Sequence, residues 1–287
     1  MSDCIEHTTL QSWRAQARKI SDARHHEDID WLIQHTLGLN RAALISRSDL
    51  PLAEDITRIL DHGVSALRDD VPLAYLVGTQ PFWTFDLAVT TDTLVPRADT
   101  EILVHCALSK LTSTATSAVI ADLGTGSGAV ALALASEHPD ARVHAVDASP
   151  AALGVAQLNA QALDIKNVTF FEGDWAEPLP LSHYDLIVSN PPYVETVDGA
   201  LPASLRHEPT LALAGGSDGL DEIRRLVPSA LSRLCPGGWL LIEHGHMQAE
   251  GVSGILHAFG FTALETVPDI AGRDRVSLGR RPTDSEA

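Results

Sequence analysis

The chain has 287 residues, 38 acidic against 20 basic side chains and a formal net charge of −18, which is room for one large domain and a small one. Residues 1–80 carry 8 basic and 12 acidic groups and the remainder 12 and 26. Nonspecific nucleic-acid affinity comes largely from phosphate neutralisation, so stable binding to bare DNA or RNA is disfavoured. No run of about 18 apolar residues offers a membrane span, and Met-Ser-Asp-Cys-Ile-Glu-His lacks the basic-then-apolar order of a signal peptide. Cys4, Cys106 and Cys235 are odd in number and far apart, fitting neither a disulfide framework nor a zinc site and pointing to a reducing cytoplasm. The 13 histidines include His25-His26 and His244-x-His246 but bring no companions at ligand spacing, so no metal is expected.

In chain order, residues 5–70 read as helices. Trp31, Leu32, Ile33, Leu37 and Leu39 mark one apolar face, and Ile56, Ile59, Leu60, Val64 and Leu67 another. Pro51 precedes the second, where a helix start tolerates proline. Such short helices need mutual packing, so 1–71 is expected to be a small helical bundle. From Pro72 to Val95, the Phe82-Trp83-Thr84-Phe85 cluster and β-branched residues read as a hairpin linker over 72–97, its aromatics ordinary core. Residues 98–287 alternate: helix 99–111, strand 118–123, helix 129–137, strand 141–147, helix 150–163, strand 167–172 and strand 184–189. After a long loop at 195–217, with glycine-rich turn chemistry at Gly215–Gly219, come helix 219–234, strand 239–243, helix 246–258, strand 261–266 and strand 275–279. That order is a doubly wound α/β sheet.

Four stretches of this half carry chemistry. Strand 184–189 stops in Asn190-Pro191-Pro192-Tyr193. Two prolines forbid further ladder pairing and hold the preceding residues extended. The result is a stiff hook at a strand's carboxyl end, offering the Asn190 amide and Pro191 carbonyl under an aromatic lid, Tyr193. Upstream, Asp122-Leu123-Gly124-Thr125-Gly126-Ser127-Gly128 joins strand to helix through glycines that accept positive φ and expose bare backbone. Asp147 ends the next strand, 19 residues after Gly128, where an acid can bind a ribose's two hydroxyls. Asp174 and Trp175 follow a third strand, an acceptor and a flat face suited to adenine. A nicotinamide enzyme would share the last three. The Gly-x-Gly-x-Gly spacing and the hook argue against it.

Together these elements resemble class I S-adenosylmethionine methyltransferases with a nitrogen acceptor. More closely, Pro72-Leu73-Ala74-Tyr75-Leu76-x-Gly78, Pro96-Arg97-x-Asp99-Thr100-Glu101, the glycine turn, the hook, His207-Glu208-Pro209 and Gly272-Arg273-Asp274-Arg275-Val276 resemble the HemK/PrmC family of protein-(glutamine-N5) methyltransferases. Ala98 departs from a proline common in that family. The resemblance implies a seven-stranded Rossmann-like sheet and methyl transfer to the glutamine of a Gly-Gly-Gln loop in peptide chain release factors. It further implies that Gly124, Thr125, Gly126, Ser127 and Gly128 cradle the methionine part of S-adenosylmethionine, that Asp147 holds its ribose and that Trp175, with Asp174, lies by the adenine. Asn190 would touch both cofactor and substrate, and Asn190, Pro191, Pro192 and Tyr193 would grip the glutamine. The Pro-Arg-x-Asp-Thr-Glu segment has no assigned role beyond Asp99, Thr100 and Glu101 suiting a helix start. A nucleic-acid amino methyltransferase and a non-catalytic S-adenosylmethionine-binding module are the alternatives. The first needs a basic groove that the charge count does not show, and the second leaves the hook without a purpose.

Overall fold

The structure is a computed structural model describing residues 8–111, 117–180, 183–197, 199–202 and 205–286. Cys4 and the opening heptapeptide lie outside the described residues. The chain divides into two compact units, Met1–Thr79 and Gln80–Ala287.

The first unit is helical. α1 (Leu10–Ile20) starts in a reciprocal cap: the Thr9 side chain accepts from the Ser12 amide, and the Thr9 amide donates to Ser12 Oγ. α2 (His26–Leu37) buries Ile29, Leu32 and Ile33. α3 (Arg41–Ser46) is capped by Asn40, and α4 (Glu54–Arg68) buries Leu60, Val64 and Leu67. Trp31 and Ile59, expected on the buried faces, are 55% and 54% exposed. Each sits about 100° around its helix from a buried neighbour, so a run of adjacent apolar residues overstated the face. Gly63 lets α4 approach α2, because a Cβ there would lie 2.5 Å from Leu32. Pro51 opens no helix; it bridges to Thr9, and α4 begins at Glu54. Residues expected to begin the linker instead form α5 (Leu73–Val77), entered at Pro72 and ended by left-handed Gly78. That proline-to-glycine bracket is a helix signal outweighed in the sequence by the β-rich stretch after it. Leu73, Leu76 and Val77 pack on the bundle core.

The second unit opens with the hairpin β1 (Thr79–Phe82) and β2 (Phe85–Ala88). Phe82 is buried, and Trp83 and Phe85 pack against the same core, as the core reading of these aromatics required. Then follow α6 (Thr100–Lys110), β3 (Val119–Leu123), α7 (Ala129–Glu137), β4 (Arg142–Asp147), α8 (Pro150–Ala162), β5 (Val168–Glu172), β6 (Tyr184–Ser189), α9 (Asp221–Leu231), β7 (Leu234–Glu243), α10 (Ala249–Ala258), β8 (Thr262–Pro268) and β9 (Asp274–Arg280). The seven strands lie in the order β5-β4-β3-β6-β7-β9-β8. β3 to β7 pair parallel, and β9 runs antiparallel between β7 and β8. Alternation along the strands feeds two cores: Leu186 and Val188 of β6 enter one, and Ile187 between them enters the other. This is the doubly wound, seven-stranded sheet expected.

Candidate active site

β3 and β6 are neighbours, Leu123 opposite Ser189, yet the chain leaves β3 toward β4 and leaves β6 toward β7 on the other side. The order reverses between them, and crevices at such a switch point hold ligands. The glycine turn leaves one strand and the hook leaves the other. Between them lies a cleft of about 290 Å³, at the lower end of small-ligand sites, roughly 300–1,000 Å³.

On the turn side, Gly124, Gly126 and Gly128 have φ of 78°, 55° and 85°, left-handed values that favour glycine. The amides of Gly124 and Thr125 both donate to Val146 O at 2.9 Å. Asp147 accepts the Gly126 amide on Oδ2 and the Ser149 amide on Oδ1, both at 2.8 Å. Its carboxylate thus holds the turn, and an ionised carboxylate has about four acceptor sites, so it can still take hydroxyl donors. Beneath the turn, Asp122 accepts from Thr125 Oγ1 at 2.7 Å and from the Ala131 amide at 3.1 Å. Burial pushes the Asp122 carboxyl up to about 7 despite those donors, and burial likewise raises Asp147. Asn159 of α8 ties the turn to the hairpin, donating to Ser127 O and Ala88 O and accepting the Ala88 amide.

Gly124, Thr125, Gly126, Ser127, Asp147, Asp174, Trp175, Asn190 and Pro192 all line the cleft. Gly128 does not. A Cβ there would meet Leu132 and Ala156, so it serves the packing of the turn on α7 and α8. Trp175 sits at φ 45°, strained for a large side chain, and its indole Nε1 is buried without a partner among the described residues. Asp174 pairs with Arg225 of α9, which lines the cleft beside Glu222; the sequence reading missed both.

At the hook, regular structure stops at Ser189, whose Oγ donates to Leu123 O at 2.7 Å. Asn190 Nδ2 donates to Thr100 Oγ1 at 3.2 Å. Pro191 is buried behind the cleft wall. Tyr193 departs from the lid expected of it: it is absent from the lining, and its hydroxyl donates to Glu243 Oε1 at 3.2 Å. Burial raises that hydroxyl's pKa, and the neighbouring Glu243 carboxyl adds to the shift. Behind Tyr193, Gly215 and Gly219 lie close against its backbone, since a Cβ on either would fall 2.8 or 2.4 Å from it.

The Pro-Arg-x-Asp-Thr-Glu segment wraps this hook. Arg97 pairs with the buried Glu208, which also accepts the Val95 amide at 3.2 Å. Asp99 makes no side-chain cap for α6; its carboxylate lies 3.2 Å from Arg275 of β9. Glu101 accepts the Trp83 amide at 3.0 Å. Arg275 is buried between Asp99 and Asp269 and donates to His244 O at 3.2 Å. The three family motifs around residues 97, 208 and 275 therefore meet at one place. Among the described residues no group of three or more His, Cys, Asp or Glu is placed to hold a metal.

Comparison with known proteins agrees with this geometry. The family described as "PrmC N-terminal domain" matches residues 8–78, and "Methyltransferase small domain" matches residues 98–205. The release factor glutamine methyltransferase of Xylella fastidiosa (strain 9a5c) is 47% identical over 256 residues, covering 89% of this chain and 93% of the relative. That of Escherichia coli (strain K12) is 39% identical, covering 88% and 91%. The chain belongs to the release factor glutamine methyltransferase family. A methyltransferase from Pyrococcus furiosus, 16% identical, superposes with a TM-score of 0.50 over 70% of this chain and 90% of that one, a likeness of fold alone. Within the family frame, the helical unit is the PrmC N-terminal domain, whose matched end at residue 78 falls beside the boundary between the two units.

Proposed function

We propose that this chain transfers a methyl group from S-adenosylmethionine to the side-chain amide N5 of the glutamine in the Gly-Gly-Gln loop of peptide chain release factors. Its family membership supports that reading. The observation that carries it here is the hook on the cleft wall beside a bare-backbone glycine turn, at the sheet's switch point.

The residues present fit the cofactor. Gly124 and Gly126 let a ligand lie against backbone, Asp147 offers acceptors for ribose hydroxyls, and the orphaned Trp175 Nε1 is a buried donor awaiting a partner. S-adenosylmethionine, when bound, supplies an electrophilic methyl carbon. The chain's own residues must make a poor nucleophile attack it. An amide nitrogen's lone pair is delocalised, so positioning does much of the work. Asn190 Oδ1, on the cleft wall, accepts one N–H of the target amide and turns its nitrogen toward the methyl donor. As positive charge grows on nitrogen that bond strengthens, which stabilises the transition state. The proton leaves after transfer, with no base needed beforehand. Pro192 on the wall helps exclude water.

The net charge of −18 supports a protein substrate over bare nucleic acid, and no helix among the described residues is long and apolar enough to cross a membrane. Free Cys106 and Cys235 suit the reducing cytoplasm where release factors work. Among the described residues none of the helical unit lines the cleft, and we infer that its part is substrate choice through a second contact patch. A chain starting at Gln80 keeps the whole sheet and should bind S-adenosylmethionine yet methylate intact release factor poorly; undiminished activity on it would remove that role. The direct test is labelled methyl transfer to release factor carrying Gly-Gly-Gln or Gly-Gly-Glu. Label should appear on the first only, and equal labelling of both, or labelling of naked RNA instead, would overturn the glutamine reading.

A further inference from the structure

One stripe of α9 grips the segment that follows β5. Glu222, Arg225 and Ser229 recur at spacings of three and four, which puts them on one face of the helix, and Arg233 carries the row just past its end. The stripe meets the segment in order. Arg225 Nη2 pairs with Asp174 Oδ2, Ser229 Oγ accepts the Ala176 amide at 3.1 Å, and Arg233 Nη2 donates to Glu177 O at 3.2 Å. Trp175 stands between the first two anchors with its backbone at φ 45°, a conformation that a large side chain keeps only where the surroundings hold it. Its indole lies beside the glycine turn, since a Cβ on Gly124 would fall 3.9 Å from Trp175 Cζ3. At the segment's start, the Gly173 amide donates to Asp147 O at 3.1 Å.

Arg225 does more than anchor. Its Nη1 donates to Glu222 Oε2 at 2.7 Å, so one planar guanidinium spans two carboxylates, and all three side chains line the cleft. An ionised carboxylate accepts on both oxygens. Arg225 takes Asp174 Oδ2, and Oδ1 meets no donor among the described residues.

We propose that Arg225 and Ser229 are positioning residues for purine recognition. Ser229 holds the backbone beside Trp175 so that the indole stays a flat face for the base. Arg225 turns Asp174 so that Oδ1 accepts from the base's 6-amino group, and the cleft thereby selects a 6-amino purine. This rests on the cofactor assignment above and not on the glutamine acceptor. The two duties are separable. A flat face rewards any purine, so loosening it weakens all purine ligands alike. A fixed carboxylate rewards only a purine with a donor at position 6, so releasing it removes the preference.

Calorimetry of the full chain with S-adenosylhomocysteine and with its 6-deamino analogue, purine in place of adenine, tests this without turnover. Wild type should bind the first about 10–100-fold more tightly, the scale of a hydrogen bond to a charged group. Arg225→Met keeps the side chain's stem and loses its fork, and it should bring that ratio close to unity. The Arg225 side chain is 53% exposed, so its replacement leaves the core intact. Asp174→Ala should also erase the ratio, and adding Arg225→Met to it should change nothing more, because one residue acts through the other. Ser229→Ala should weaken both ligands by the same factor and keep the ratio; Ser229→Thr, which retains the acceptor, should restore both. A wild-type ratio in Arg225→Met, or a further loss when it is added to Asp174→Ala, would overturn the role of Arg225. Undiminished binding of both ligands by Ser229→Ala would overturn that of Ser229. A wild type that binds both ligands equally would remove the contact at position 6 and leave the cofactor assignment standing, whereas one that binds neither would remove that assignment and this proposal with it.

Discussion

The glycine turn and the hook face each other across one cleft, but they are held in opposite ways. Contacts that hold the turn are short in sequence: Thr125 reaches Asp122, 3 residues away, and Gly126 reaches Asp147, 21 away. Those around the hook are long. Asn190 leans on Thr100 from 90 residues away, Tyr193 on Glu243 from 50, and the Val95 amide on Glu208 from 113. The turn is a local binding device that secondary structure nearly completes. The hook is a positioning device that exists only once α6, β7 and β9 have docked. Damage on one side should therefore show in affinity and on the other in turnover.

The largest effect belongs to the hook. Asn190→Ala should keep most S-adenosylmethionine affinity and lose methyl transfer by about 10²–10³-fold, the cost of one transition-state hydrogen-bonding group. Asn190→Asp should fail equally, because it loses the donor to Thr100. Appreciable turnover in the aspartate variant would show that the hook needs only an acceptor and no amide orientation. On the turn, Asp147→Ala should cost on the order of 1.5–3 kcal/mol of cofactor affinity by calorimetry, with kcat at saturation nearly intact. A loss of kcat without a loss of affinity would break the division of labour. The last effect is read in stability. Asp122 has its folded pKa raised from 3.8 to about 7, so the unfolded chain releases this proton first as pH rises. Its contribution is full below about 4 and is lost on the way to 7, with a limiting slope of about 1.4 kcal/mol per pH unit. Urea unfolding should show wild type losing stability against Asp122→Asn across that window, and parallel curves would contradict the burial argument.

Periodicity and punctuation explain why the strands and helices of the second unit were placed within a few residues from the sequence. An apolar run ending in Gly-x-Gly-x-Gly or Asn-Pro-Pro can hardly be anything but a strand end. The same local signals misjudged Trp31 and Ile59, because adjacency in the chain does not say which neighbour faces the core, and α5, because a helix bracketed by Pro72 and Gly78 spans barely a turn. Gly128, Pro191 and Tyr193 were expected at the ligand, and the structure sets them behind the cleft wall as support.

Arg225 and Glu243 were beyond a sequence reading of this site for a different reason. Arg97, Asp99, Thr100, Glu208 and Arg275 were visible as motif letters, but a polar side chain's role depends on what it meets, and their partners lie far along the chain. What the sequence determined by itself is what rests on short-range sterics: the positive-φ turn, the proline-stiffened hook, the alternation that makes a doubly wound sheet. Tertiary structure alone decided which buried hydroxyl stands behind Asn190 and which buried carboxyl behind Tyr193, because burial and hydrogen-bond polarity are properties of the docked neighbours.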